Sequence, residues 1–202
     1  MAGGHGPGTS SLRSISPPRT LILGSGPTEF ARLKNRLKKL AENLDALAAK
    51  DEELLRHARE IAEVRARAAV ELYSICAGFV AEVNRLVAHT ELKLDPPDYT
   101  SRSYRDIGPN LIQINARGRI LQIEFEATEQ LVSTEEFRVP YTLAGSVRCF
   151  NQEWLERDSV NEQLLFYCLE KARNLWLYFD ARTYRTGSFD QEYLITLMEQ
   201  LV

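Results

Sequence analysis

Between Pro27 and Gly78 the chain carries neither proline nor glycine, and from Phe30 through Leu47 its large apolar residues fall at alternating spacings of three and four. Few folds accommodate such a run. Ala, Leu, Glu, Lys and Arg dominate it, and these residues lose little side-chain freedom in a helix. A proline at the first helical position gives up only an N–H that would have no partner within the helix. Glu29 in the first turn complements the helix dipole. The pattern predicts one long amphipathic helix over residues 27–94, stopped by Asp95-Pro96-Pro97-Asp98. A helix of that length is longer than an ordinary domain core can cover, so it needs a partner.

The spacing identifies the kind of partner. Phe30, Leu33, Leu37, Leu40, Leu44, Leu47, Leu54 and Ile61 lie on one narrow stripe, with Asp51 and Ala58 in the intervening positions. Apolar residues repeating about every 3.5 positions form a coiled-coil seam. From Val64 the stripe widens: Ala68, Leu72, Ile75 and Phe79 are joined by Val70, Tyr73, Cys76 and Val80. A face that broad belongs to a helix docked on a domain core. The expectation is a homo-oligomer joined through the first half of the helix, with the second half anchoring a sheet. The cluster Lys50-Asp51-Glu52-Glu53 leaves open a turn between two antiparallel helices at that point.

Downstream the period changes from helical to two. Ile112, Ile114 and Ala116 alternate with Gln113 and Asn115, and Leu121, Ile123 and Phe125 alternate with Gln122, Glu124 and Glu126. Arg117-Gly118 between them fits a tight hairpin turn. Another strand or two is expected over residues 137–150, with Pro140 confining part of it to an edge and Ala144-Gly145 permitting a bend. Residues 164–169 and 175–179 are apolar on both faces and read as central strands covered on both sides. A closing helix follows, with Ser188 and Gln191 spaced as a capping box and Tyr193, Leu194, Leu197, Met198 and Leu201 on one face. The fold class is therefore α+β: a long N-terminal coiled-coil-like helix, an antiparallel sheet of about five strands in residues 95–202, and a short C-terminal helix. Residues 1–26, rich in Gly, Pro and Ser, read as a disordered tail.

Composition narrows function without naming one. With 44% hydrophobic and 26% charged residues the chain is globular in kind. A net charge of −3 argues against a generally basic nucleic-acid binder. The run Arg32, Lys34, Arg36, Lys38, Lys39 is flanked by Glu29, Glu42 and Asp45 and lacks stacking aromatics, so it reads as a solvated helix flank. No stretch approaches the roughly 18 apolar residues of a membrane span, and no secretory signal is evident. With three widely spaced cysteines in apolar surroundings, the thiols read as reduced and buried and the address as cytoplasmic.

Leu21-Ile22-Leu23-Gly24-Ser25-Gly26-Pro27 superficially resembles the start of a dinucleotide fingerprint, but Glu29 stands where its third glycine belongs. Glu124 and Glu126 share a strand face, which alternation already explains. The histidines His5, His57 and His89 are scattered, without metal-ligand spacing. No catalytic constellation, metal site or cofactor is indicated. The densest polar-aromatic segment is Trp176, Tyr178, Asp180, Arg182, Tyr184 and Arg185, a candidate ligand or protein-partner face, since arginine forks carboxylates and aromatics supply contact area. The reading that results is a non-enzymatic oligomeric interaction or assembly module. Its alternatives are a ligand-binding or enzymatic β domain with a coiled-coil handle, and nucleic-acid binding through the basic run.

Overall fold

A computed structural model describes residues 27–132, 139–151, 161–170 and 173–201. The sequence expectations for the tail, including its glycine-rich turn, lie outside the described residues. Helix α1 spans Pro27–Leu86 without interruption, and Asp51 lies inside it. No turn forms at the Lys50–Glu53 cluster, because nothing there lowers the helix propensity of the flanking Ala, Leu and Glu residues. Contacts divide the chain into two units, Met1–Glu52 and Glu53–Val202. In the first, the described residues are helix only, and every described side chain is exposed.

In the second unit a seven-stranded antiparallel sheet follows, with neighbours in strict sequence order. The strands are β1 (Lys93–Asp95), β2 (Asn110–Ala116), β3 (Arg119–Val132), β4 (Tyr141–Asn151), β5 (Asn161–Cys168), β6 (Leu175–Asp180) and β7 (Arg185–Ser188), before α2 (Gln191–Glu199). The β2–β3 turn is the expected one. Arg117 and Gly118 both have positive φ, 55° and 89°, the conformation whose twist matches a two-residue hairpin. Gly145 lies opposite Phe125, and a Cβ there would come within 2.1 Å of the Glu124 carbonyl oxygen. The glycine thus permits a close approach of β3 to β4.

One face of the sheet carries the main core. Ile112 and Ile114, Leu121, Ile123 and Phe125, Leu143 and Val147, Leu165 and Tyr167, and Trp176 pack with Ala68, Leu72, Cys76 and Phe79 of α1 and Leu194 and Leu197 of α2. The opposite face splits in two. Near β5 and β6 it holds a smaller apolar cluster of Tyr141, Phe166, Cys168, Leu177 and Phe179. Elsewhere it is polar, with Gln113, Gln122, Arg148 and Glu162 aligned across four successive strands.

Three expectations are corrected. The sheet has seven strands rather than about five, because β1 and β7 are short edge strands defined by pairing with β2 and β6 rather than by an apolar pattern. The helix ends at Leu86 rather than near residue 94: the Asn84 side chain both accepts from Leu92 N (2.7 Å) and donates to Leu92 O (2.9 Å), turning the chain into β1. The N-cap of α2 is Asp190, whose carboxylate accepts from Tyr193 N, because Ser188 still pairs with Leu177 in β7. The apolar segments at β5 and β6 are covered on both faces over most of their length, since each cluster takes one side, but Leu164 is exposed. They lie toward the β7 end of the sheet, whose middle strand is β4.

Candidate functional site

Among the described residues, chemistry-bearing or unpartnered side chains come together at the seam of α1, at an arginine hub beyond the seam's end, at the β6–β7 hairpin and on the polar face of the sheet.

The seam residues Phe30, Leu33, Leu37, Leu40, Leu44, Leu47 and Leu54 are between 52% and 70% exposed, and Leu55 beside them is equally so. Ile61 is half-buried. Apolar side chains at heptad spacing remain wet over six turns or more, an arrangement monomers rarely keep. Around them the helix surface is solvated and charged, with exposed ion pairs at Lys38–Glu42 and Arg56–Glu53. Such pairs contribute little energy of their own.

One heptad step beyond Ala58, the same helical frame places Arg65, which is 9% exposed. Its Nε donates to Thr142 Oγ1 at 2.8 Å, Nη1 donates to Asp106 Oδ1 at 3.2 Å, and Nη2 donates to the Thr128 carbonyl. Tyr104 donates its hydroxyl proton to the same Asp106 oxygen at 3.0 Å. A buried guanidinium is tolerated only where its donors are matched in this way. Burial pushes the Tyr104 hydroxyl pKa well above its ordinary value, and the Asp106 carboxylate adds to that shift. Arg65 therefore ties α1 to β3, to β4 and to the loop before β2. Beside the hub lies a groove of about 250 Å³, lined by His57, Glu60, Ile61, Val64, Thr142, Leu169 and Asn174. Its apolar lining residues are Ile61, Val64 and Leu169.

The polar-aromatic segment of β6 and β7 is divided between inside and outside. Trp176 is 2% exposed, and its indole N–H donates to the Ala68 carbonyl at 2.9 Å. Tyr178 stacks on Tyr193 of α2, with ring centroids 3.7 Å apart. Asp180 is buried and accepts from Arg182 N at 2.9 Å. These three side chains belong to the helix-covered face. Arg182, Tyr184 and Arg185 are exposed at the turn, where Tyr184 has φ 55° and its ring meets Phe179 edge-on. The structure thus brings together two arginines and one tyrosine on a hairpin rather than six groups on one surface.

The other chemistry-bearing groups are engaged or isolated. Arg148 lies between Glu162 (2.9 Å) and Glu124 (4.0 Å) on the polar sheet face, while Glu126 is exposed beside them. Arg148 thus sets a positive charge beside Glu124, one member of the Glu124–Glu126 pair, and bridges it to Glu162 on the next strand but one. The Cys76, Cys149 and Cys168 thiols are free and buried. Burial pushes each up to about 12, so none offers a thiolate near neutral pH. Among the described residues no group of three or more His, Cys, Asp or Glu is placed to hold a metal ion. No described helix is long and apolar enough to cross a membrane.

Sequence reasoning missed Arg65. The signal was present, since an arginine stands in the apolar frame seven residues after Ala58, and a charge in a dry stripe needs partners. Thr142 and Asp106 could not be inferred, because they lie 77 and 41 residues away. Comparison with protein-family models, with curated proteins and with solved structures finds no match for this chain.

Proposed function

We propose that this protein is a non-enzymatic assembly module, in which the α1 seam joins copies of the chain and the sheet domain is the unit being joined. One observation carries the reading: Phe30, Leu33, Leu37, Leu40, Leu44, Leu47 and Leu54 keep coiled-coil spacing while more than half exposed. Apolar surface removed from water stabilises by about 25 cal/mol per Å², so a wet stripe of this length favours association.

The test uses the full chain. Light scattering on the purified protein is expected to give a mass of two or more copies. Leu37→Asp with Leu44→Asp is expected to give monomers with an unchanged far-ultraviolet signature for the sheet. Both side chains are already exposed, so the folded unit should tolerate the change. A wild-type protein that is monomeric at tens of micromolar would sink the proposal.

A further inference from the structure

The seam is nearly its own mirror image along the helix. Turn a second copy end for end and set its Leu47 against Leu44. Leu37 then faces Leu54, Phe30 faces Ile61, Leu33 faces Ala58 and Leu40 faces Asp51. Every layer in this register pairs a position of one heptad type with the other type, which is how antiparallel coiled coils stack. The register also ends where the seam ends. Beyond Ile61 the next frame position is Arg65, already consumed by Thr142 and Asp106. Before Phe30 the described part of the helix holds Pro27, Thr28 and Glu29.

Charge favours the same orientation. The first third of the seam is basic: Arg32, Lys34, Arg36, Lys38 and Lys39 outnumber Glu29. Its last third is acidic: Asp51, Glu52, Glu53 and Glu60 outnumber Arg56 and Arg59. Reversing the second copy brings Glu52 level with Lys39 and Glu53 level with Lys38. A parallel pair would set basic against basic and acidic against acidic, and would place Asp51 opposite Asp51 in the seam. Like charges at such separations are destabilising, the more so once water is displaced. A single polar residue in a seam is also the usual device for fixing register.

We infer that the occupant of the seam is a second copy of this chain, running antiparallel, with its Phe30 seated against Ile61 at the groove that Val64, Thr142 and Leu169 complete. This rests on the assembly reading and adds orientation, register and end point to it. The groove of about 250 Å³ lies at Ile61, where this register delivers the one aromatic side chain of the seam, itself 70% exposed. Each copy would close the groove of the other, so the contact is isologous and stops at two chains.

The experiment is electron–electron distance measurement on full-length chains spin-labelled at Asn35→Cys or at Glu42→Cys. Both positions lie on the same outer line of the helix, and the three native cysteines are buried. In the antiparallel register the axial part of the distance between labels is about 30 Å at position 35 and about 10 Å at position 42. A parallel pair gives the same distance at both. A dimer with the longer distance at position 35 is the expected result. Equal distances in a dimer overturn the orientation and leave the assembly reading standing; a monomer overturns both. Phe30→Ala is expected to raise the dimer dissociation constant at least tenfold, and an unchanged constant overturns the seating of Phe30 at the groove.

Discussion

Two stretches of α1 share one helical frame and have opposite surroundings. Leu37, Leu40, Leu44 and Leu47 are each more than half exposed, whereas Ala68, Leu72 and Cys76 are fully buried. The difference is written in what flanks the stripe rather than in the stripe. Beside the leucines stand Lys34, Arg36, Lys38 and Asn43; beside Leu72 stand Ala69, Tyr73 and Ala77. Small residues at Ala68 and Ala69 let the sheet come close enough for the Trp176 indole to reach a helix carbonyl. A narrow apolar line with charged borders fits another helix, and a broad one with small residues fits a sheet. The period alone distinguishes neither.

The largest effect expected from this comparison is a contrast between two truncations of the same side chain. Leu72→Ala opens a cavity in a fully packed core and should cost about 2–5 kcal/mol of stability. Leu40→Ala removes the same atoms from a wet surface and should change the stability of the single chain by no more than about 0.5 kcal/mol. Denaturant unfolding at sub-micromolar concentration, where association contributes least, reads both. Equal losses would show that the two stretches are not in different surroundings.

Next in size is the arginine hub, where the dry stretch begins. Arg65→Ala takes one donor each from the Thr128 carbonyl, from Thr142 Oγ1 and from the Asp106 carboxylate, which keeps Tyr104, and should cost about 1–3 kcal/mol. Arg65→Met keeps the apolar stem and should recover part of that loss. If both variants unfold at the wild-type denaturant midpoint, the hub is not what ties the helix to β3 and β4.

How far the sequence revealed this structure follows from the same distinction between local and distant causes. The long helix, the Arg117-Gly118 turn and the alternation in β2 and β3 were legible, because each is set by residues adjacent in the chain. Strand β7 is Arg-Thr-Gly-Ser, with no apolar residue to mark it, and it exists because β6 offers an edge. Strand β1 has three residues and is likewise made by its neighbour. The end of α1 depends on the Asn84 clamp on Leu92, a contact across a turn that propensity does not encode. Trp176, Tyr178 and Asp180 alternate correctly onto one face, but sequence could not say that this face is the one the helices cover. Trp176 is buried against Ala68 and Tyr178 is half-buried against Tyr193, so these two residues of the expected patch pack onto the helices instead.

The smallest effect is expected where an arginine pairs with a carboxylate in the open, and it tests the comparison from the other side. Arg148 donates to Glu162 at 2.9 Å on the polar face of the sheet, with both side chains about half exposed. The hydrogen bond from Arg148, helped by Ser146, holds the Glu162 carboxyl below its ordinary value, against a weaker opposing push from burial. A carboxyl with a depressed folded pKa contributes stability that is complete above the unfolded value near 4.5. That contribution is lost as pH falls through the lower folded value. Arg148→Met should therefore move the Glu162 titration upward, as read by carboxyl-carbon resonances. It should lower stability at pH 7 by less than about 1 kcal/mol, because water screens the pair. The two proteins should converge in stability once acid has protonated Glu162 in both. A loss at pH 7 as large as that of Arg65→Ala would mean that exposure is not what separates the two arginines, and the contrast between wet and dry surroundings would fail with it.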